Sequence, residues 1–102
     1  MVLVTCPAEA AEKIARAVIN KRAAACVNIV PRVRSLYRWK GKVEDAAECL
    51  LLIKTRTSLL GELERVVRAA HPYEVPEFVA LPITQGNRAY LDWIEKATER
   101  RT

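Results

Sequence analysis

The stretch from Ala25 to Thr55 constrains this chain most. It reads as two long strands joined by a tight turn at Lys40-Gly41. Between Val27 and Trp39 the odd positions are Val27, Ile29, Pro31, Val33, Ser35, Tyr37 and Trp39. Arg32, Arg34, Leu36, Arg38 and Lys40 fill the even positions of the second half. This period-two alternation predicts a strand with one apolar face and one mostly cationic face. Gly41 supplies the positive φ that a short hairpin turn needs. The return strand carries Val43, Glu44, Asp45 and Glu48, then the apolar run Cys49 to Ile53. If Trp39 faces Lys42, then Arg38, Leu36 and Arg34 lie opposite Val43, Asp45 and Ala47, and acids of one strand sit near arginines of the other. A bulge at Pro31 would shift this register beyond it.

Such a ribbon is longer than the usual five or six residues or so per strand. A small domain rarely covers both of its faces and its free edge. Pro31 and the charges mark it as an edge. Its tip carries Tyr37 and Trp39, which are expensive to leave wet, so another copy of the chain is expected to cover it.

The 102 residues make one domain, 1–102, with no linker and no internal repeat. No long apolar run or charged-then-apolar leader is present, so neither a membrane span nor a signal peptide is expected. Three cysteines at irregular spacing argue against a disulfide framework and for the reducing cytoplasm. The net charge of +5 raises nucleic-acid binding. No basic cluster is interleaved with stacking aromatics, however, and an RNA-binding sheet would carry outward aromatics where Leu50, Leu52, Phe78 and Val79 stand. No nucleic-acid partner is expected.

In chain order, Met1 to Thr5 reads as a buried strand. Pro7 suits the first helical position, and Ala11, Ile14, Ala15 and Val18 fall on one face of a helix running to Asn20. After the hairpin, Thr57 or Ser58 caps a second helix with Leu59, Leu63, Val66, Val67 and Ala70 buried. His71-Pro72 ends it. Phe78 to Ile83 is apolar enough to predict a central strand. Gly86-Asn87 caps a third helix with Tyr90, Leu91, Ile94 and Ala97 on its buried stripe, and the charged tail Glu99 to Thr102 is expected to fray. The fold class is therefore α+β: a ferredoxin-like split βαβ arrangement, βαββαβ plus a C-terminal helix, with an antiparallel sheet and a long central hairpin. Two helices cover one sheet face. The third helix and neighbouring hairpins remain to cover the other.

His71 is the only histidine. Cys6 sits at the amino end of the first helix, where the dipole would favour a thiolate. Glu74 and Glu77 are the nearby carboxylates. Cys6, His71, Glu74 and Glu77 would suit a soft or borderline ion such as Cu or Zn, meeting either within one subunit or across an interface. The bland alternatives are a buried apolar cysteine and a histidine capping helix carbonyls. Cys26 and Cys49, inside strands, read as core fillers. A Cys–His pair is also a nucleophile and base in principle. No orienting third group, oxyanion hole or phosphate-cradling glycine loop accompanies it, so the chain does not read as an enzyme. Tyr37, Trp39, Tyr73, Tyr90 and Trp93, with Glu77, would line a cleft between subunits where a small molecule binds, or simply pack the interface.

The strings Thr5-Cys6-Pro7-Ala8-Glu9, Ser35 to Lys42, His71-Pro72-Tyr73-Glu74-Val75-Pro76-Glu77 and Leu91-Asp92-Trp93, in that order, resemble the CutA divalent-cation tolerance family over essentially the whole chain. The resemblance implies a homotrimer with hairpins packed between subunits, a cytoplasmic location and a role in tolerance to copper and other divalent metals. It implies Cu(II)-type ligation by a cysteine matching Cys6 and a histidine pair matching positions 70 and 71. Here position 70 is Ala70, so only His71 of that pair is present. The family's trimer is similar to that of PII signalling proteins, which implies an alternative role: binding a small ligand or partner in clefts between subunits.

Overall fold

The computed structural model describes residues 1–99. Its order is β1 (Val2–Cys6), α1 (Ala8–Asn20), β2 (Cys26–Trp39), β3 (Lys42–Lys54), a 3₁₀ turn (Thr57–Leu59), α2 (Leu60–Ala70), β4 (Val79–Ala80) and α3 (Arg88–Ala97). The strands form one antiparallel sheet in the order β2-β3-β1-β4. This is the expected split βαβ arrangement.

The core lies between one sheet face and the helix pair α1 and α2. Val2, Val4 and Cys6 of β1 and Cys49, Leu51 and Ile53 of β3 supply the sheet side, and Ile14, Val18, Leu63 and Val67 the helix side. Alternation places these strand residues on one face, and the 3.6 period places the helical ones on one stripe. Pro7 stands just before α1 rather than inside it. The second helix begins with the 3₁₀ turn and has no side-chain cap at Arg56, so neither Thr57 nor Ser58 caps it.

The turn is as expected. Trp39 pairs with Lys42, and Lys40 and Gly41 both have positive φ, 50° and 78°. This primed-turn backbone matches the twist of the flanking strands. The pairs Arg38↔Val43, Leu36↔Asp45 and Arg34↔Ala47 also match. Arg34 reaches diagonally to Asp45, with contacts of 3.0 and 2.7 Å. Both side chains are well exposed, so the pair adds little stability.

A bulge separates Val30↔Leu50 from Val33↔Glu48, setting Pro31 and Arg32 against Cys49 alone. Arg32 takes a φ of 62°. The extra residue inverts the alternation. Val27 and Ile29 therefore share the helix-facing side with Ile53 and Leu51, whereas Val33, Ser35, Tyr37 and Trp39 lie on the opposite side with Glu48. The single apolar face of odd positions expected from sequence is thus split between two sides.

Beyond Cys6↔Cys49 the ribbon leaves β1 behind and pairs only with itself. At about 3.3 Å per residue, the 14 residues of β2 account for the 44 Å long dimension.

Two expectations fail at the C-terminal part. The strand predicted as central over 78–83 is a two-residue edge strand, extended only by mutual backbone bonds between Met1 and Leu81. Pro76 and Pro82 lack the N–H groups a longer ladder requires. Val79, Leu81 and Ile83 remain exposed. In α3, Asn87 Oδ1 does accept the Tyr90 N–H at 3.0 Å, as a cap should. Ile94 is buried, but Tyr90 is exposed and stacks on Trp93 at 5.5 Å. Burial first, then the neighbouring Cys26, pushes the Tyr90 hydroxyl up, so α3 approaches one end of the second sheet face. The rest of that face, including Val30 and Val79, stays open. Of the tail expected to fray, 100–102 lie outside the described residues.

Leu51→Ala, which empties a fully buried position, is expected to lower the unfolding free energy by about 2–5 kcal/mol. Lys42→Ala, exposed beside the turn, should stay within about 0.5 kcal/mol. Urea denaturation of both variants measures the contrast.

Candidate functional site

The segment after α2 carries most of the polar chemistry. Proline at position 72 stops the helix, and the His71 N–H closes its last turn on Val67 O at 2.9 Å. The His71 side chain turns into the protein and is buried. Its Nδ1 accepts the Tyr73 N–H at 3.1 Å, and its Nε2 lies 2.8 Å from Thr5 O. A backbone N–H can only donate, so Nδ1 carries the lone pair and Nε2–H donates to the carbonyl. Both ring nitrogens are therefore engaged in holding the loop to the end of β1.

Tyr73 continues the chain of contacts. Its ring lies 4.8 Å from His71, and its hydroxyl donates to Glu48 Oε2 at 2.9 Å. Glu48 is a buried carboxylate on the side of the ribbon reached by Tyr37. Thr5 Oγ1 lies 3.5 Å from Glu77 Oε1. Burial, with the Glu48 hydrogen bond and charge, pushes the Tyr73 hydroxyl up to about 12.

Cys6 is fully buried. Burial first, then the negative charges of Cys49, Glu48 and Glu9, pushes its thiol up to about 11. The thiolate expected from the helix dipole is overridden: removing water from sulfur outweighs the field of one helix end.

The expected metal donors therefore do not form a ready centre. Cys6 holds its proton, His71 has both nitrogens occupied, and Glu74 and Glu77 are exposed. Among the described residues no group of three or more His, Cys, Asp or Glu is placed to hold a metal ion. This arrangement does not fit copper held by Cys6 and His71.

The expected cleft residues divide. Tyr37 and Trp39 from β2 and Tyr73, Glu74 and Glu77 from the loop line one groove of about 780 Å³, with Glu48 on its wall. Tyr90 and Trp93 are elsewhere, paired with each other on α3. Sequence reasoning missed Glu48 as a site residue. Its signal was a lone acid directly before the apolar run Cys49 to Ile53.

The CutA1 divalent ion tolerance protein model matches residues 1–97. The chain belongs to that family. A CutA protein from Mus musculus is 55% identical over 97 residues, covering 94% of this chain, which spans about half of that relative's length (55%). The solved divalent cation tolerance protein of Thermus thermophilus is 54% identical, with a TM-score of 0.93 and 96% of each chain covered. A solved structure described as the PII-like protein CutA from Nostoc sp. PCC 7120 in apo form is 37% identical, with a TM-score of 0.90, covering 96% of this chain and 95% of that one. CutA1 membership agrees with the fold described above. Among the described residues no helix of this CutA1 chain is long and apolar enough to cross a membrane.

The raised groups give a pH prediction. Each binds its proton more tightly folded than unfolded, so each contributes stability fully below its ordinary value and loses it as pH rises. For Cys6 the window is 9.0 to about 11, and for Tyr73 it is 10.0 to about 12. Thermal melts across pH 8 to 12, roughly spanning both windows, should show falling stability. Cys6→Ala should flatten the lower part of the fall and Tyr73→Phe the upper. Tyr73→Phe should also cost about 1 kcal/mol at neutral pH, because it removes a partner of Glu48. Identical pH profiles for all three proteins would contradict this account.

Proposed function

We propose that this chain is a non-catalytic subunit of a cytoplasmic homotrimer that serves divalent-cation tolerance by binding a small ligand or partner in clefts between subunits. One observation carries the reading: the groove joins three aromatic side chains, Tyr37, Trp39 and Tyr73, to the buried carboxylate Glu48. A concave site with a few convergent polar groups is the usual setting for a small ligand. The PII-like description of the Nostoc relative supports the same reading. The free thiols Cys6, Cys26 and Cys49 suit a reducing cytoplasm.

The assembly is argued from exposed surface. Leu36 and Val43 are 64% and 65% exposed on one side of the ribbon, and Tyr37 and Trp39 are also exposed on the other. Apolar area of this extent on both faces of a protruding hairpin fits burial against other subunits.

Native mass spectrometry should find three 11.5 kDa chains per particle. The double substitution Leu36→Asp with Val43→Asp should shift the particle toward monomer. A wild-type chain that sediments as a folded monomer would defeat the assembly reading.

For the ligand, a thermal-shift screen of nucleotides and metabolites, with Cu(II) and Zn(II) as separate arms, is expected to give a hit among the organic ligands. At 100 times its Kd, such a ligand stabilises the fold by about 2.7 kcal/mol. Trp39→Ala should remove the shift. A response confined to the metals, and lost in Cys6→Ser and His71→Ala, would restore the copper site and refute the groove.

A further inference from the structure

The chain carries a net charge of +5, yet its groove of about 780 Å³ is a local acidic exception. Glu48, Glu74 and Glu77 line it, against the cations Arg34 and Lys40. Arg34 is already matched, because its guanidinium holds Asp45 at 3.0 and 2.7 Å. Three carboxylates against Lys40 alone leave an excess of two negative charges in the groove. Glu48 is only 5% exposed, and its Oε2 accepts the Tyr73 hydroxyl at 2.9 Å. Its other oxygen, Oε1, has no hydrogen-bond partner among the described residues. A buried carboxylate oxygen in that state costs free energy, and a cationic N–H donor satisfies it more strongly than a neutral one. The acids are spread along the groove rather than clustered, since among the described residues no three His, Cys, Asp or Glu are placed to hold a metal ion. With them stand the rings of Tyr37, Trp39 and Tyr73. Aromatic faces attract ammonium groups, and Lys40 Nζ already lies 6.0 Å from the Trp39 ring centroid.

We propose that the ligand of this groove is an aliphatic di- or polyamine, a methylene chain carrying two or more protonated nitrogens. This rests on the groove reading given above and names its ligand class. Amines of this kind resemble the lysine side chain, with a pKa near ~10.4, and are charged at neutral pH. Two or more ammonium groups match the excess of two negative charges. Separated nitrogens suit separated acids, whereas a single metal ion needs its donors gathered at one point. One ammonium donates to Glu48 Oε1, a second is drawn to Glu77 or Glu74 on the loop, and the methylenes lie against the rings of Tyr37, Trp39 and Tyr73. A polyanion such as a nucleotide meets three carboxylates in the same space and is disfavoured. Lys40 competes for the Trp39 ring, so an incoming amine displaces it.

The test titrates reduced, metal-free wild-type protein with spermidine by calorimetry at low salt. Binding is expected, and added salt should weaken it. Hexamethylenediamine should bind, hexylamine more weakly, and hexanediol, which keeps the length without the charge, not at all. Trp39→Ala should weaken spermidine binding by about 3- to 30-fold. Glu48→Gln should weaken it by about 10-fold or more, and Glu77→Gln by less. Lys40→Gln should tighten it. Glu12→Gln, which changes an exposed acid paired with Arg16 on α1, should bind as wild type. Circular dichroism checks each fold, and if Glu48→Gln unfolds, the exposed positions Trp39 and Glu77 still decide. No heat with spermidine, equal binding of hexanediol, wild-type affinity in both Trp39→Ala and Glu77→Gln, weaker binding in Lys40→Gln, or loss in Glu12→Gln overturns the proposal. ATP separates the two failures. If ATP binds instead and Trp39→Ala abolishes its binding, the groove remains a ligand site and the polyamine assignment alone falls. If spermidine, ATP and every organic compound of the thermal-shift screen fail, the groove reading falls with it.

Discussion

The bulge at Pro31 and Arg32 decides which way every later side chain of β2 points. Without the extra residue, Tyr37 and Trp39 would lie on the helix-facing side of the sheet, away from Glu48, and the groove would have no aromatic wall. Proline suits this place because it has no N–H to lose from the ladder. Arginine at positive φ is less natural and costs about 1–2 kcal/mol. The surrounding pairs, Val30↔Leu50 and Val33↔Glu48, hold it there. Ribbon length and bulge act together. Length carries Tyr37 and Trp39 past the end of β1, and the bulge turns them toward the 71–77 segment.

That segment is held by a short chain of polar contacts: Thr5 to His71, His71 to Tyr73, Tyr73 to Glu48. A buried imidazole with both nitrogens satisfied is a stable arrangement, because neither a lone pair nor an N–H is left desolvated without a partner. To ligate a metal it would have to give up one of these bonds and loosen the loop from β1 or from Tyr73. Glu48 depends on the same chain, since a buried carboxylate needs a donor and Tyr73 supplies one. The histidine that looks available for metal chemistry in the sequence, and the buried acid Glu48 that sequence reasoning missed, are thus both engaged in fixing the groove.

The sequence carried the fold well, because its signals are local. Gly41 announced the turn, period-two alternation the strands, and Ile14, Val18, Leu63 and Val67 the helix faces. It carried Pro31 as a bulge but not the consequence for Tyr37 and Trp39, since a change of side is visible only once the register with β3 is known. It misplaced 78–83 because apolar content reports burial, and an edge strand awaiting a cover looks like a central one. The Tyr90 position failed for the same reason. Cys6 failed differently: the helix dipole is a sequence-level cue, whereas the burial that outweighs it depends on three elements packing together. The pairing of Cys6 with Cys49 lay in the same hidden category, since 43 positions separate them in the chain.

The open surfaces lie in separate places: the ribbon with Leu36, Val43, Tyr37 and Trp39, the β4 region with Val79, Leu81 and Ile83, and the α3 pair Tyr90 and Trp93. Scattered apolar residues are ordinary on a monomer, but contiguous ones on a protruding element are not. The proposed assembly and the proposed ligand site then follow from one cause. A neighbouring chain that covers the ribbon also roofs the groove beside it and removes water from Glu48 and Tyr73. Charge and hydrogen bonding count for more in a site so enclosed. On this reasoning, recognition in the groove strengthens with assembly, because the surface that drives association is also the wall of the site.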